Sequence, residues 1–289
     1  MTLAQALRAA CATLERAGVE AAVRDARLLA AMVLGTPAAL LDPKLDLDPG
    51  QAARFDALVQ RRALREPVAR IAGVREFWGL EFAVTPATLD PRPDSETLIE
   101  AVVAERKARP PATILDLGTG TGCLLCALLR EFPAAHGLGI DIAPEAVRTA
   151  SANAARLDLE GRAEFAAGSW FAPVVGTFDV IVANPPYIPS GDLSALAPEV
   201  THYDPRAALD GGPDGLAHYR AIVRALPPHL APGGLVAFEV GAGQAQAVAQ
   251  LMAGVGLRVI GTRADLAGVE RCVLAAQARK TLGNQTPSG

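Results

Sequence analysis

Asn184, Pro185, Pro186 and Tyr187 stand in a row, placing a short carboxamide, two residues without backbone N–H groups and an aromatic ring side by side. That set suits one task, which is holding a planar NH2 group by its two hydrogens. The Asn184 side-chain oxygen and the Pro185 carbonyl would each accept one N–H, and Tyr187 would stack on the planar group and fix its face. A second set precedes it. Asp116 is followed by Leu117, Gly118, Thr119, Gly120, Thr121 and Gly122, and a further acid, Asp141, lies downstream. The glycines let the backbone turn tightly and approach a ligand, while Asp141 is suited to accept both hydroxyls of a ribose. A dinucleotide fingerprint would need glycine at 123, where Cys123 stands, and this disfavours a pyrophosphate ligand.

A D-x-G-x-G-x-G turn with an acid closing the next strand is the pattern of S-adenosylmethionine sites, although any glycine-rich strand-to-helix turn shows the same glycines. Combined with 184–187 it suggests methyl transfer to nitrogen. An amide or aniline-like nitrogen is a poor nucleophile because its lone pair is delocalised. Hydrogen bonds from its N–H groups would stabilise positive charge developing on it during transfer. Aligning nitrogen, methyl and sulfonium supplies roughly 7–11 kcal/mol, and no strong general base is needed.

These residues need strands and helices to position them. TILDL (113–117), GLGID (137–141), AEFAA (163–167), FDVIVAN (178–184), GLVAFEV (234–240), LRVIG (257–261) and RCVLAA (271–276) read as strands separated by helical stretches. Seven strands alternating with helices predict a doubly wound α/β sheet, with ligands outside the carboxyl ends of the strands. Trp170 follows the third strand, where an adenine could stack. Asp94, Ser95 and Glu96 read as a capped helix start. Residues 1–73 carry helical periodicity and no visible chemistry, and form either a cap or a docking surface for a macromolecular substrate. Residues 74–93 read as a hairpin linker with Trp78 in its core, 94–278 as the sheet domain and 279–289 as a flexible tail.

The chain has 289 residues, 51% apolar and 20% charged, enough for two folded domains. Its net charge of −4, with no basic arm, argues against tight nonspecific binding of nucleic acid. The first residues read as an amphipathic helix rather than a secretion signal, and no run is apolar enough for a bilayer span. Four scattered cysteines, at 11, 123, 126 and 272, suggest a reducing, cytoplasmic setting. Cys123 and Cys126 have redox spacing but read as one face of a helix, and no Cys/His cluster suggests a metal. His202, His218 and His229 are dispersed and form no hydrolytic set. Glu239 ends the fifth strand, where a structural hydrogen-bonding role is favoured over a role in the site.

The Asn-Pro-Pro-Tyr tetrad resembles that of amino-methyltransferases, which include adenine-N6 DNA enzymes, guanine-N2 RNA enzymes and protein-glutamine enzymes. VARIAGVREFWGLEF, TLDPRPDSETLIE, GSWFAP, EVTHYDPRAALDGGPDGL and DLAGVERCVLA narrow the likeness. Together they resemble the peptide chain release factor glutamine N5-methyltransferase family, from the helical region to about residue 276. The resemblance implies a small all-helical N-terminal domain before a Rossmann-like, seven-stranded S-adenosylmethionine-dependent methyltransferase domain. It implies methyl transfer from S-adenosylmethionine, leaving S-adenosylhomocysteine, to the glutamine of a release factor's Gly-Gly-Gln loop. Asp116, Gly118, Thr119, Gly120, Thr121, Gly122, Asp141 and Trp170 would then hold the cofactor. Asn184, Pro185, Pro186 and Tyr187 would cradle the glutamine, with Asn184 touching both ligands. Ser95 departs from the threonine common in the family. A cytoplasmic monomer with no stable nucleic-acid or membrane partner is expected. An amino-methyltransferase acting on DNA or RNA is the runner-up, and a noncatalytic S-adenosylmethionine-binding protein the third reading.

Overall fold

Apolar residues three and four apart govern the first 72 residues, and a computed structural model, which describes residues 1–277, shows the helices they make. α1 (Leu3–Arg16) starts on a capping box, in which Thr2 accepts from the Gln5 N–H and the Gln5 side chain bonds back to Thr2. α2 (Ala22–Leu34) ends on Gly35, and α3 (Pro49–Ala63) is capped by Asp48 in the same reciprocal way as α1. The short α4 (Val68–Ala72) leads to a hairpin of β1 (Val74–Phe77) and β2 (Leu80–Ala83). Trp78 and Gly79 both have positive φ there, as two-residue hairpin turns require. Trp78 is only half-buried over the core, and its indole N–H donates to Glu131. α5 (Glu96–Arg106) follows. Ser95 makes no capping bond to it, contrary to the sequence expectation, because its hydroxyl is engaged elsewhere.

β3 (Thr113–Leu117), α6 (Cys123–Glu131), β4 (His136–Asp141), α7 (Pro144–Arg156), β5 (Ala163–Ala167) and β6 (Phe178–Ala183) then alternate. After α8 (Pro198–Tyr203) come α9 (Ala217–Ala225), β7 (Leu230–Glu239), α10 (Ala245–Gly254), β8 (Leu257–Ala264) and β9 (Glu270–Gln277). The seven-stranded sheet has the order β5-β4-β3-β6-β7-β9-β8, with β9 antiparallel to both neighbours and the β5 to β7 ladder parallel. From β3 the chain steps outward through β4 and β5, then returns to β6 on the other side. That reversal opens a crevice beyond the carboxyl ends of β3 and β6. Successive β3 residues face opposite layers: Ile114 joins the core under α5 and α6, while Leu115 and Leu117 join the one under α9 and α10. The expected tail over 279–289 lies outside the described residues, as does residue 278.

The chain divides into two compact units, residues 1–75 with 196–204, and residues 76–195 with 205–289. Segment 196–204, which carries α8, therefore belongs to the helical unit although both its ends run into the sheet unit. Ion pairs hold it. Arg65 bonds Glu199 through two nitrogens, at 2.7 and 2.6 Å, Arg62 reaches the same carboxylate at 2.9 Å, and Arg70 reaches Asp204 at 2.9 Å. Arg62 also donates to buried Asp25 at 2.9 Å. The apolar core beside these pairs is small, built from Leu3, Leu14, Leu29, Phe55 and Val59 with alanines between.

Candidate active site

The turn after β3 is held from the neighbouring strand. Gly118 and Thr119 both donate their N–H groups to the Ile140 carbonyl, at 2.8 and 2.9 Å. Gly118 has φ 76°, and a Cβ on it would lie 3.5 Å from the Trp170 ring, so the glycine keeps open the space between turn and indole. Gly122 has φ 79° and starts α6; a Cβ there would sit 3.1 Å from that of Ala150. Asp141, at the end of β4, accepts the Gly120 N–H on one oxygen and the Ala143 N–H on the other, both at 2.9 Å. A carboxylate has about four acceptor sites, so capacity remains for hydroxyl donors. Asp116 is fully buried beneath the turn and accepts from the Thr119 hydroxyl at 2.6 Å. Burial pushes its carboxyl up to about 7, with the Asp141 charge adding to the effect and the Thr119 bond opposing it. Its other oxygen is buried without a partner.

β6 delivers the second set to the same crevice. Asn184 donates its side-chain N–H to the Ser95 hydroxyl at 3.3 Å. Pro185 is buried, and no peptide bond in the described chain is cis. The Tyr187 carbonyl accepts from the Gln244 side chain at 2.8 Å, and the ring packs against the core under α9 and α10. Burial, then the nearby Glu239 charge, push its phenol up to about 12, so it stays protonated. The chain beyond is stapled to residues 209–211: Ile188 donates to Leu209 and accepts from Gly211, at 3.0 and 2.8 Å.

A cavity of about 500 Å³ brings together Gly118, Thr119, Gly120, Thr121, Asp141, Trp170, Asn184 and Pro186. Asp116, Gly122, Pro185 and Tyr187, also named from sequence, are not among the residues that line it, although Pro185 and Tyr187 directly adjoin the lining residues Asn184 and Pro186. Sequence reasoning missed His218, Thr88, Arg92 and Ser95, which line the cavity. The His218 ring lies 5.4 Å from that of Trp170 and its Nε2 bonds the Asp210 carbonyl. Only its spacing on α9 could have suggested it, and α9 shows no motif. Asn153 was missed as well. Fully buried on α7, its amide bonds both backbone groups of Ala83 at the hairpin end and the carbonyl of Thr121 in the glycine turn. Cys123 and Cys126 sit at the start of α6, where burial pushes the first thiol up to about 12 and raises the second, so neither is a thiolate at neutral pH.

Comparison with known proteins defines the class first. Residues 109–228 match the family model of a methyltransferase domain, and residues 5–73 that of the PrmC N-terminal domain. The catalytic domain of human Mettl16, solved with a hairpin of the MAT2A 3′UTR, shares the fold at TM-score 0.58 and 15% identity, over 81% of this chain and 83% of that one. A methyltransferase from Pyrococcus furiosus does so at 0.53 and 17% identity, over 76% and 98%. At such identity these two show the fold alone, that of a methyltransferase. The relatives are more particular. A release factor glutamine methyltransferase of Rhodospirillum rubrum is 54% identical over 91% of this chain and 81% of its own length. That of Cereibacter sphaeroides is 49% identical over 95% and 98%, and that of Vibrio cholerae 40% over 95% and 96%. The chain belongs to the release factor glutamine methyltransferase family.

Proposed function

We propose that the protein transfers a methyl group from S-adenosylmethionine to the side-chain amide nitrogen, N5, of the glutamine in the Gly-Gly-Gln loop of peptide chain release factors. The observation that carries this reading is the placing of Asn184. It lines the same cavity as Gly118–Thr121 and Asp141, and its amide nitrogen is spent on Ser95, so its oxygen is left for a donor in the cavity. The open space at Gly118 beside Trp170, and the unused acceptor sites of Asp141, suit a nucleoside with free ribose hydroxyls. When bound, S-adenosylmethionine supplies an electrophilic methyl on a sulfonium. Asp141 would hold its ribose, the 118–122 turn its amino-acid end and Trp170 its adenine.

The residues of the chain do the rest. Asn184 Oδ1 and the Pro185 carbonyl accept the two N–H bonds of the glutamine amide, orient its nitrogen and stabilise the positive charge that grows there. Tyr187, a neutral phenol against the core, keeps the peptide segment behind them rigid. The helical unit binds the body of the release factor. Such a substrate places the protein in the cytoplasm, and no helix among the described residues is long and apolar enough to cross a membrane.

The test is transfer from labelled S-adenosylmethionine to purified release factor, with a Gln→Ala variant of its loop, duplex DNA and ribosomal RNA in parallel. Label on the wild-type factor and none on the variant is the expected result. Label on nucleic acid alone would assign the chemistry to another substrate and overturn the reading.

A further inference from the structure

Glu239 closes β7 and is 2% exposed. Nothing in the reaction as derived above uses it. The Ser95 hydroxyl, just before α5, and the Asn184 amide, just after β6, both favour its charged form, and the β6–β7 register that pairs Ala183 with Phe238 brings Asn184 alongside Glu239. These two also meet each other, with Asn184 Nδ2 donating to Ser95 Oγ at 3.3 Å. A serine hydroxyl has one proton, and an oxygen that accepts from Asn184 is free to direct that proton at the carboxylate. The Asn184–Ser95 pair thus stands beside a buried carboxylate able to accept from it. Glu239 Oε2 is nevertheless buried with no hydrogen-bond partner, an arrangement that costs stability and that packing alone gives no reason to keep.

We propose that Glu239, together with Ser95, is a positioning residue that locks the Asn184 amide with its nitrogen turned inward and its oxygen presented to the substrate amide. The proposal rests on the reading that Asn184 Oδ1 accepts from the glutamine. An asparagine amide can rotate by half a turn with almost no change of shape, so only its hydrogen-bond partners choose between the two orientations. In the wrong one, Oδ1 would face a carboxylate, and Nδ2 would offer donors to a substrate nitrogen that brings only donors. An ionised Glu239 forbids that state. A protonated Glu239 permits it, because its O–H can donate to the inward-turned Oδ1.

Burial pushes Glu239 up to about 7, which brings that change within reach of ordinary conditions. The groups around it come from several elements. Asp94 and the phenols of Tyr187 and Tyr219 face it, as do the thiols of Cys123 and Cys272. Arg271 on β9 is the cation among them, and it is shared with Asp94 at 3.2 Å and Asp265 at 2.9 Å. The sign follows. Above the folded value Glu239 is an acceptor and Asn184 is held productively; below it the lock opens and turnover falls.

The experiment measures kcat on release factor at saturating S-adenosylmethionine from about pH 5.5 to 8.5, for wild type, Glu239→Gln, Ser95→Ala and Ser95→Thr. Wild type should lose about tenfold per pH unit on the acid side of a single ionisation near 7. Glu239→Gln should be several-fold slower at alkaline pH and should lack the acid limb, with its S-adenosylmethionine affinity within about threefold of wild type. Ser95→Ala should lower kcat but keep the limb, and Ser95→Thr, which restores a hydroxyl, should recover it. Cofactor affinity also reports folding, and if Glu239→Gln does not fold, the two Ser95 variants decide. An acid limb unchanged in Glu239→Gln, or a wild-type kcat in Ser95→Ala, overturns the proposal. Wild type that labels no release factor at any pH overturns instead the reading on which it rests.

Discussion

Burial would raise the carboxyl of Glu199 in the helical unit, but hydrogen bonds from Arg65 and Arg62 more than reverse it and leave the group at about 2. In the sheet unit burial outweighs what opposes it, the Thr119 bond at Asp116 and Ser95 with Arg271 at Glu239, and both carboxyls are pushed up to about 7. Each of these two also keeps one buried oxygen without a hydrogen bond, as Asp25 of the helical unit does despite its bond from Arg62. Burying a carboxylate is costly in both places, and in one the cost is offset by guanidinium groups. In the other it stands, beside the cavity. Charges that only hold a fold together are best neutralised; groups poised to switch protonation beside a ligand are where strain is expected to persist.

Removing Asn184, the group that Glu239 is proposed to position, is the strongest way to sharpen that contrast. Asn184→Ala should lower turnover by roughly 100- to 1,000-fold, the scale of one lost transition-state donor or acceptor, while S-adenosylmethionine binding measured by calorimetry changes little. Turnover that survived would erase the difference between the two regions. Next in size is Arg62→Ala, which strips buried Asp25 of its hydrogen-bond partner and leaves it only the exposed Arg24, 3.6 Å away. Chemical denaturation should show a loss of about 3–5 kcal/mol, with cofactor affinity unmoved. A loss below about 1 kcal/mol would mean that the helical unit gains nothing from pairing its charges. The last effect concerns pH and is spread over several pH units. Asp116 has a folded value above its ordinary one, so its contribution to stability is full at low pH and is lost as pH rises from about 4 to about 7. The stability of Asp116→Asn relative to wild type should therefore climb over that window, by at most about 1.4 kcal/mol per pH unit. A flat difference would show that Asp116 titrates normally.

What could be read from the chain alone was what lies close together along it. The 113–117 strand was placed to the residue, because an apolar-rich run, four of its five residues buried, sits between Pro110–Pro111 and a glycine turn. β7 begins at Leu230 rather than 234, since Pro232, Gly233 and Gly234 read as a break; a shift of register against β6 accommodates them. β8 runs on to Ala264 through Thr262 and Arg263, polar residues that an edge strand tolerates and a periodicity argument discards. In the site, the glycine turn, Asp141 and 184–187 were visible as motifs. Ser95 was misread as a helix cap, because its partner Asn184 is 89 residues away. Trp170 beside His218, and Asn153 between hairpin and turn, are likewise contacts of distant segments and leave no local pattern. The membership of 196–204 in the helical unit is of the same kind, resting on ion pairs across 134 residues and more.

That last feature bears on how the molecule is made. A ribosome releases the chain from its first residue onward, at about 5–20 residues per second. Arg65 and Arg70 emerge early, whereas Glu199 and Asp204 each follow 134 residues later. For an interval on the order of ten seconds, the helices of the nascent chain carry guanidinium groups whose partners have not been synthesised. The first part of the protein to appear is thus among the last to have its charges satisfied, and it waits for a segment encoded beyond the Asn-Pro-Pro-Tyr tetrad.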